Sequence, residues 1–164
     1  MKKMALICAF SLAFTSIVVA QSGVFTVNED FPGASLIVNK SSGQNFFNIY
    51  IRKEITIPSQ VKYYVVFEKL ASKTPQKAMI SDKDFLSLIT SIENMMIAPK
   101  SSAAVVEYRF DIGKFSFQYV ITSTSKNWIM NIDGIENYYF KTSDEFLPAI
   151  QEAKAVLQEV RRLP

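Results

Sequence analysis

Few side chains in this sequence could do chemistry. The chain of 164 residues contains no His and one Cys, Cys8. The commonest general base and metal ligand is therefore missing. That excludes a Ser-His-Asp triad and a thiolate–imidazole zinc site. The five glycines form neither Gly-x-Gly-x-x-Gly nor Gly-x-x-x-x-Gly-Lys, so phosphate cradles have no support. Carboxylates, Ser, Lys and Tyr remain. Asp30, Asp111, Asp133 and Glu136 lie near expected turns. No spacing nominates two of them as the acid pair, about 5–10 Å apart, that glycoside hydrolysis needs. The run from Asn131 to Glu136 begins like a calcium loop but lacks the third early oxygen ligand and the closing Glu. Asp133-Gly134 reads instead as a hairpin turn. Ser81 and Lys83 could be drawn as a dyad, yet Ser81 is better explained as a helix cap. Arg161-Arg162 suits a solvated helix C-terminus. The expectation is no catalytic residue, no metal and no cofactor, with a carboxylate- or Tyr-dependent enzyme ranked last.

The aromatic residues say more. Phe46-Phe47, Tyr63-Tyr64 and Tyr138-Tyr139 are adjacent pairs within expected strands. Neighbouring strand residues point to opposite faces. If Phe47 and Tyr63 pack under helices, Phe46 and Tyr64 emerge on the other side with Tyr50, Arg52, Val66 and Arg109. Tyr, Phe and Arg are the types favoured as interface anchors. Phe46, Tyr50, Arg52, Tyr64 and Arg109 are thus the expected partner-binding set. The plainer alternatives are cross-strand packing of exposed rings, or cover from residues 24–27.

Those residues must be carried by a domain that is first exported. Lys2 and Lys3 precede an almost wholly apolar run over 4–14, and Val18 and Ala20 sit at −3 and −1 of a small-residue site before Gln21. This is the pattern of a cleaved secretory signal over 1–20. Its loss lowers Lys+Arg from 18 to 16 against 15 Asp+Glu, leaving a net charge of +1 and no cysteine in 21–164. A chain so balanced lacks the basic stripe of a nucleic-acid binder. At 49% hydrophobic and 20% charged it is not disordered. Residues 21–164 suit one domain, periplasmic or secreted and of bacterial type, meeting a membrane only through the signal.

Period-two alternation marks strands over 45–52, 61–70, 104–112, 115–121 and 128–132, with shorter ones at 24–28, 35–40, 76–80 and 138–141. Asp30-Phe31-Pro32-Gly33 and Ser41-Ser42-Gly43-Gln44 read as turns, and Pro58 divides two strands. Helical spacing appears twice. Ser81-x-x-Asp84 caps a stripe of Phe85, Leu88, Ile89, Ile92 and Met96, closed by Pro99. Thr142-x-x-Glu145 precedes Phe146, Ile150, Ala153, Leu157 and Val160. Pro148 would break a helix begun at Thr142; a kink there, or a start near Leu147, would resolve this.

The two helical segments align at an offset of 61, as do Phe47, Ile49 and Ile51 with Tyr108, Phe110 and Ile112. This suggests a duplicated strands-then-helix unit, with halves 34–98 and 103–161. The expected fold is α+β: a single antiparallel sheet of about six to eight strands with two helices on one face. In layout this resembles duplicated sheet-plus-two-helix folds of secreted enzyme-inhibitor proteins, though no motif carries the likeness. The expected function is a non-catalytic module that contacts a protein or other partner through the helix-free face. The alternative is a small-ligand carrier with an apolar cavity lined by Phe85, Phe115, Phe117 and Trp128.

Overall fold

A computed structural model describes residues 25–40, 43–57, 60–70, 76–97, 105–132 and 136–164. The expected signal over 1–20, Pro58, Pro99 and Asp133-Gly134 lie outside the described residues. The fold is α+β, and its order of elements occurs twice. Strands β1 (Phe25–Lys40), β2 (Gly43–Ile57), β3 (Gln60–Lys69) and β4 (Lys77–Ser81) are followed by helix α1 (Asp82–Ile97). Then come β5 (Val105–Ile112), β6 (Phe115–Thr122), β7 (Lys126–Ile132) and β8 (Glu136–Phe140), a 3₁₀ turn at Ser143–Glu145, and α2 (Leu147–Val160).

One expectation is corrected here. The strands do not form a single sheet. They form two four-stranded antiparallel meanders, β1-β2-β3-β4 and β5-β6-β7-β8. After α1 the chain starts a new sheet instead of adding to the first. β1 runs close to β8, but the two carry no ladder between them. The offset-61 alignment is topological only near the helices, where β4–α1 matches β8–α2. Upstream it lays β2 over β5, because the first hairpin has strands of 16 and 15 residues and the second has strands of 8.

β1 is a second correction. The expected turn at Asp30–Gly33 is a bulge inside one continuous strand, with the register shifting between Pro32 and Ala34. A β-bulge accommodates one extra residue without ending the pairing. Glycine is required there by space: a Cβ on Gly33 would lie 2.6 Å from the Ile49 carbonyl oxygen. Phe25–Val27 belongs to this strand, so it is paired in the sheet and does not cover it. At the β5–β6 hairpin, Gly113 adopts φ 54°, as a two-residue turn demands.

Alternation then sorts the side chains. Phe47, Ile49, Ile51, Val65, Phe67, Ala78 and Ile80 from the first sheet meet Phe115, Phe117, Trp128, Met130, Ile132, Tyr138 and Phe140 from the second in one core. Phe67 lies 5.2 Å from Phe115, and Phe47 lies edge-on 4.7 Å from Tyr138. The Tyr138 hydroxyl donates to Gln76 Oε1 at 3.1 Å, so this buried phenol is satisfied. Lys53 continues the inward row yet is only 6% exposed; its Nζ donates to the Pro164 carbonyl at 2.7 Å.

Both helices start as their sequences dictate. The Asp84 backbone N–H donates to Ser81 Oγ at 3.2 Å. The Lys141 and Thr142 N–H groups donate to Glu145 Oε1 at 3.0 and 3.2 Å. The 3₁₀ turn intervenes, and α2 begins at Leu147 with Pro148 in its first turn, where a missing N–H costs nothing. α1 buries Met95 and leaves Met96 46% exposed, reversing the expected stripe end. Arg161 Nη1 reaches 3.6 Å from Asp82 Oδ2, tying the end of α2 to the start of α1. No helix among the described residues is long and apolar enough to cross a membrane.

Phe146 is fully buried, its ring 4.9 Å from Phe117, 5.2 Å from Phe140 and 5.3 Å from Trp128, all in the second sheet. The helix it leads then lies across β1, β2 and β3 of the first. Phe146→Ala is expected to cost about 3–5 kcal/mol in denaturant unfolding and to red-shift emission from Trp128. Gly33→Ala forces β1 away from Ile49, with an expected loss of about 1–3 kcal/mol on the same measurement.

Candidate binding face

The face of the first sheet turned away from the helices is built from alternate residues of β1 and β2, with the β1 alternation shifting at the bulge, and continues across β3 and β4. Three cross-strand rows define it: Asp30–Arg52–Tyr64–Ser81, Pro32–Tyr50–Val66–Met79, and Ser35–Asn48–Glu68–Lys77. The bulge matters here, because it keeps Asp30 opposite Arg52 while Ser35 falls opposite Asn48.

Asp30 receives two hydrogen bonds from Arg52, Nε to Oδ1 and Nη2 to Oδ2, both 2.7 Å. This bidentate geometry fixes the guanidinium plane. Arg52 Cζ lies 5.7 Å from the centre of the Tyr50 ring, within cation–π range. The Asp30 hydrogen bond holds the Arg52 pKa above its ordinary value, against a smaller lowering from burial. Lys77 Nζ meets Glu68 Oε1 at 2.7 Å. That hydrogen bond, with a lesser contribution from Tyr50, raises the Lys77 pKa. Val66 points to this side yet is only 2% exposed. Tyr50 and Met79 flank it across the strands, and Tyr64 and Glu68 along its own.

The result is an open concavity of about 650 Å³ lined by Asp30, Ser35, Asn48, Tyr50, Arg52, Glu68 and Lys77, and reaching past the edge to Glu152 of α2. Asp30 with Arg52 and Glu68 with Lys77 cancel in pairs, which leaves Glu152 at the rim. Such a surface does not concentrate an ion of one sign. It offers oriented donors and acceptors beside an aromatic face. Among the described residues no group of three His, Cys, Asp or Glu could hold a metal ion.

Of the five residues expected from sequence, Tyr50 and Arg52 line this concavity together. Tyr64 faces the same side and lines a smaller adjoining depression of about 180 Å³ with Lys62 and Asp82. Phe46 stands opposite Ile37 in β2, and its side chain lies outside the described residues. Arg109 is not with them. It is on β5 of the second sheet, bonded to Asp111 at 2.7 Å. Grouping it with the others followed from assuming one sheet. Sequence reasoning missed Asp30, Glu68 and Lys77. Counting the β1–β2 register back from Ser41-Ser42 would have found Asp30, had Pro32-Gly33 been taken as a bulge. Ser81, the dyad candidate, is occupied as the α1 cap. Phe85, Phe115, Phe117 and Trp128 are each at most 4% exposed, and Phe117 packs 5.9 Å from Trp128.

No protein-family model, curated protein or solved structure matches this chain. The geometry of the site therefore has to carry the functional reading alone.

The raised Lys77 pKa has a definite sign. A lysine whose folded pKa exceeds its unfolded value, about 10.4, stabilises fully below that pH. Its contribution fades as pH climbs through the folded value. Because the pair is substantially exposed, the effect is expected to stay under about 1 kcal/mol. Lys77→Met should lower the urea midpoint at neutral pH and remove that part of its decline at alkaline pH, as read by urea midpoints across pH.

Proposed function

We propose that this chain is an exported, non-catalytic binding module that engages a partner through the outer face of its first sheet. The single observation that supports this is the concavity around Tyr50 and Arg52. It joins residue types favoured at interface hot spots with a guanidinium already locked by Asp30. A locked anchor loses little side-chain freedom on binding, which favours affinity. Charge cancellation within the concavity fits a neutral or mixed-charge protein surface better than a polyanion. An enzyme reading would have to rest on carboxylates, Lys77 or Tyr50, and two of those carboxylates, Asp30 and Glu68, are engaged by Arg52 and Lys77. The carrier reading would need a gap among Phe85, Phe115, Phe117 and Trp128, which pack within one core instead.

The test is affinity capture from periplasmic and culture extracts with the partner identified by mass spectrometry. Wild type is expected to retain a defined protein. The Tyr50→Ser/Tyr64→Ser variant, with an unchanged circular dichroism spectrum, is expected to lose it by about ten-fold or more. Equal recovery by both would show that this face is not the site.

A further inference from the structure

We propose that two copies of this chain join through β5, edge to edge and antiparallel, with Tyr108 opposite Tyr108 at the two-fold axis. The inference is independent of the binding face on the other sheet.

An unpaired sheet edge invites pairing with another chain, and the four edges here differ. β1 and β8 lie against each other, and β1 also lies under α2. β4 is only five residues long and carries Lys77. β5 is eight residues long; it touches α1, but among the described residues its one ladder partner is β6. Its core-facing row also stands out. Val106, Tyr108, Phe110 and Ile112 are all only half-buried; in β6 the same row is buried at Phe115 and Phe117 and half-buried at Tyr119 and Ile121, and in β7 it is buried at Trp128, Met130 and Ile132. Val105 is 60% exposed. An apolar row left half-covered at an open edge is what a further strand would complete.

Charge selects the occupant and the register. The outward row of β5 reads Glu107, Arg109, Asp111. Opposed residues in an antiparallel pair share a face. With the two-fold at Tyr108, Glu107 of each copy faces Arg109 of the other, Val106 faces Phe110, and Val105 faces Asp111. Residues 105–111 then pair throughout, with two opposite-charge contacts. Moving the axis to Arg109 sets Arg109 against Arg109 and Glu107 against Asp111, which repels. Moving it to Phe110 also opposes Arg109 and Asp111 but pairs only residues 108–112, so length decides between the two. The strand is thus complementary to itself in one full-length register. In the proposed pairing Arg109 keeps its own-strand contact with Asp111 while meeting Glu107 of the second copy.

The proposal is tested by sedimentation of the purified protein. Wild type is expected to be dimeric at micromolar concentration. Glu107→Arg alone and Arg109→Glu alone should each weaken association by about ten-fold or more, since each places like charges opposite at both ends. An equimolar mixture of the two variants should dimerise again, because each then meets its complement. A wild-type monomer, or single reversals that dimerise as well as wild type, would overturn the proposal. The register has its own readout in a Cys8→Ser background. Tyr108→Cys is expected to form an interchain disulfide on mild oxidation, since Cα atoms opposed across strands lie about 4.5–5.5 Å apart. Phe110→Cys should not. Crosslinking at 110 but not at 108 would overturn the register.

Discussion

The fold depends on where Phe146 sits. A four-stranded sheet presents one apolar face that it cannot bury by itself. Here the chain leaves the second sheet, plants Phe146 among Phe117, Trp128 and Phe140, and sends α2 across the first sheet. One residue therefore anchors the element that closes the other half. The contacts Phe47–Tyr138 and Phe67–Phe115 do the same between strands. Neither repeat keeps its own helix to itself, and the two halves share a single core.

With the helices committed to the inner faces, the outer face of the first sheet is shaped by its own cross-strand chemistry. Rings and ion pairs there shield Val66 and hold one another in place. The Gly33 bulge sets this arrangement, because it fixes which β1 side chains stand over Arg52 and Asn48. A local backbone requirement, room beside the Ile49 carbonyl, therefore determines the geometry of a surface several residues wide. The second sheet carries three of its charges on the edge strand β5, where Arg109 pairs with Asp111 and the apolar row is half-buried.

Much of the architecture was legible in the residues. Alternation assigned the inward side chains of β2, β3, β6 and β7 correctly, since period two is a property of the extended backbone itself. Both caps were readable because Ser81 and Thr142 act within three residues of themselves. Pro148 forced α2 to begin at Leu147 for equally local reasons. Pro32-Gly33 misled, because a proline–glycine step serves a turn and a bulge alike, and only the partner strand distinguishes them.

The amino-acid sequence by itself determined the missing His and the lone Cys, the two helices with their caps, and the inward face of β2, β3, β6 and β7. All of these follow from residue types and from neighbours a few positions away. Tertiary structure alone decided that the strands divide into two sheets, that Arg109 is parted from Tyr50 and Arg52, and that Asp30 stands opposite Arg52. Those outcomes turn on pairing between distant segments, where many registers satisfy the same alternation and only the packing of the whole core selects among them.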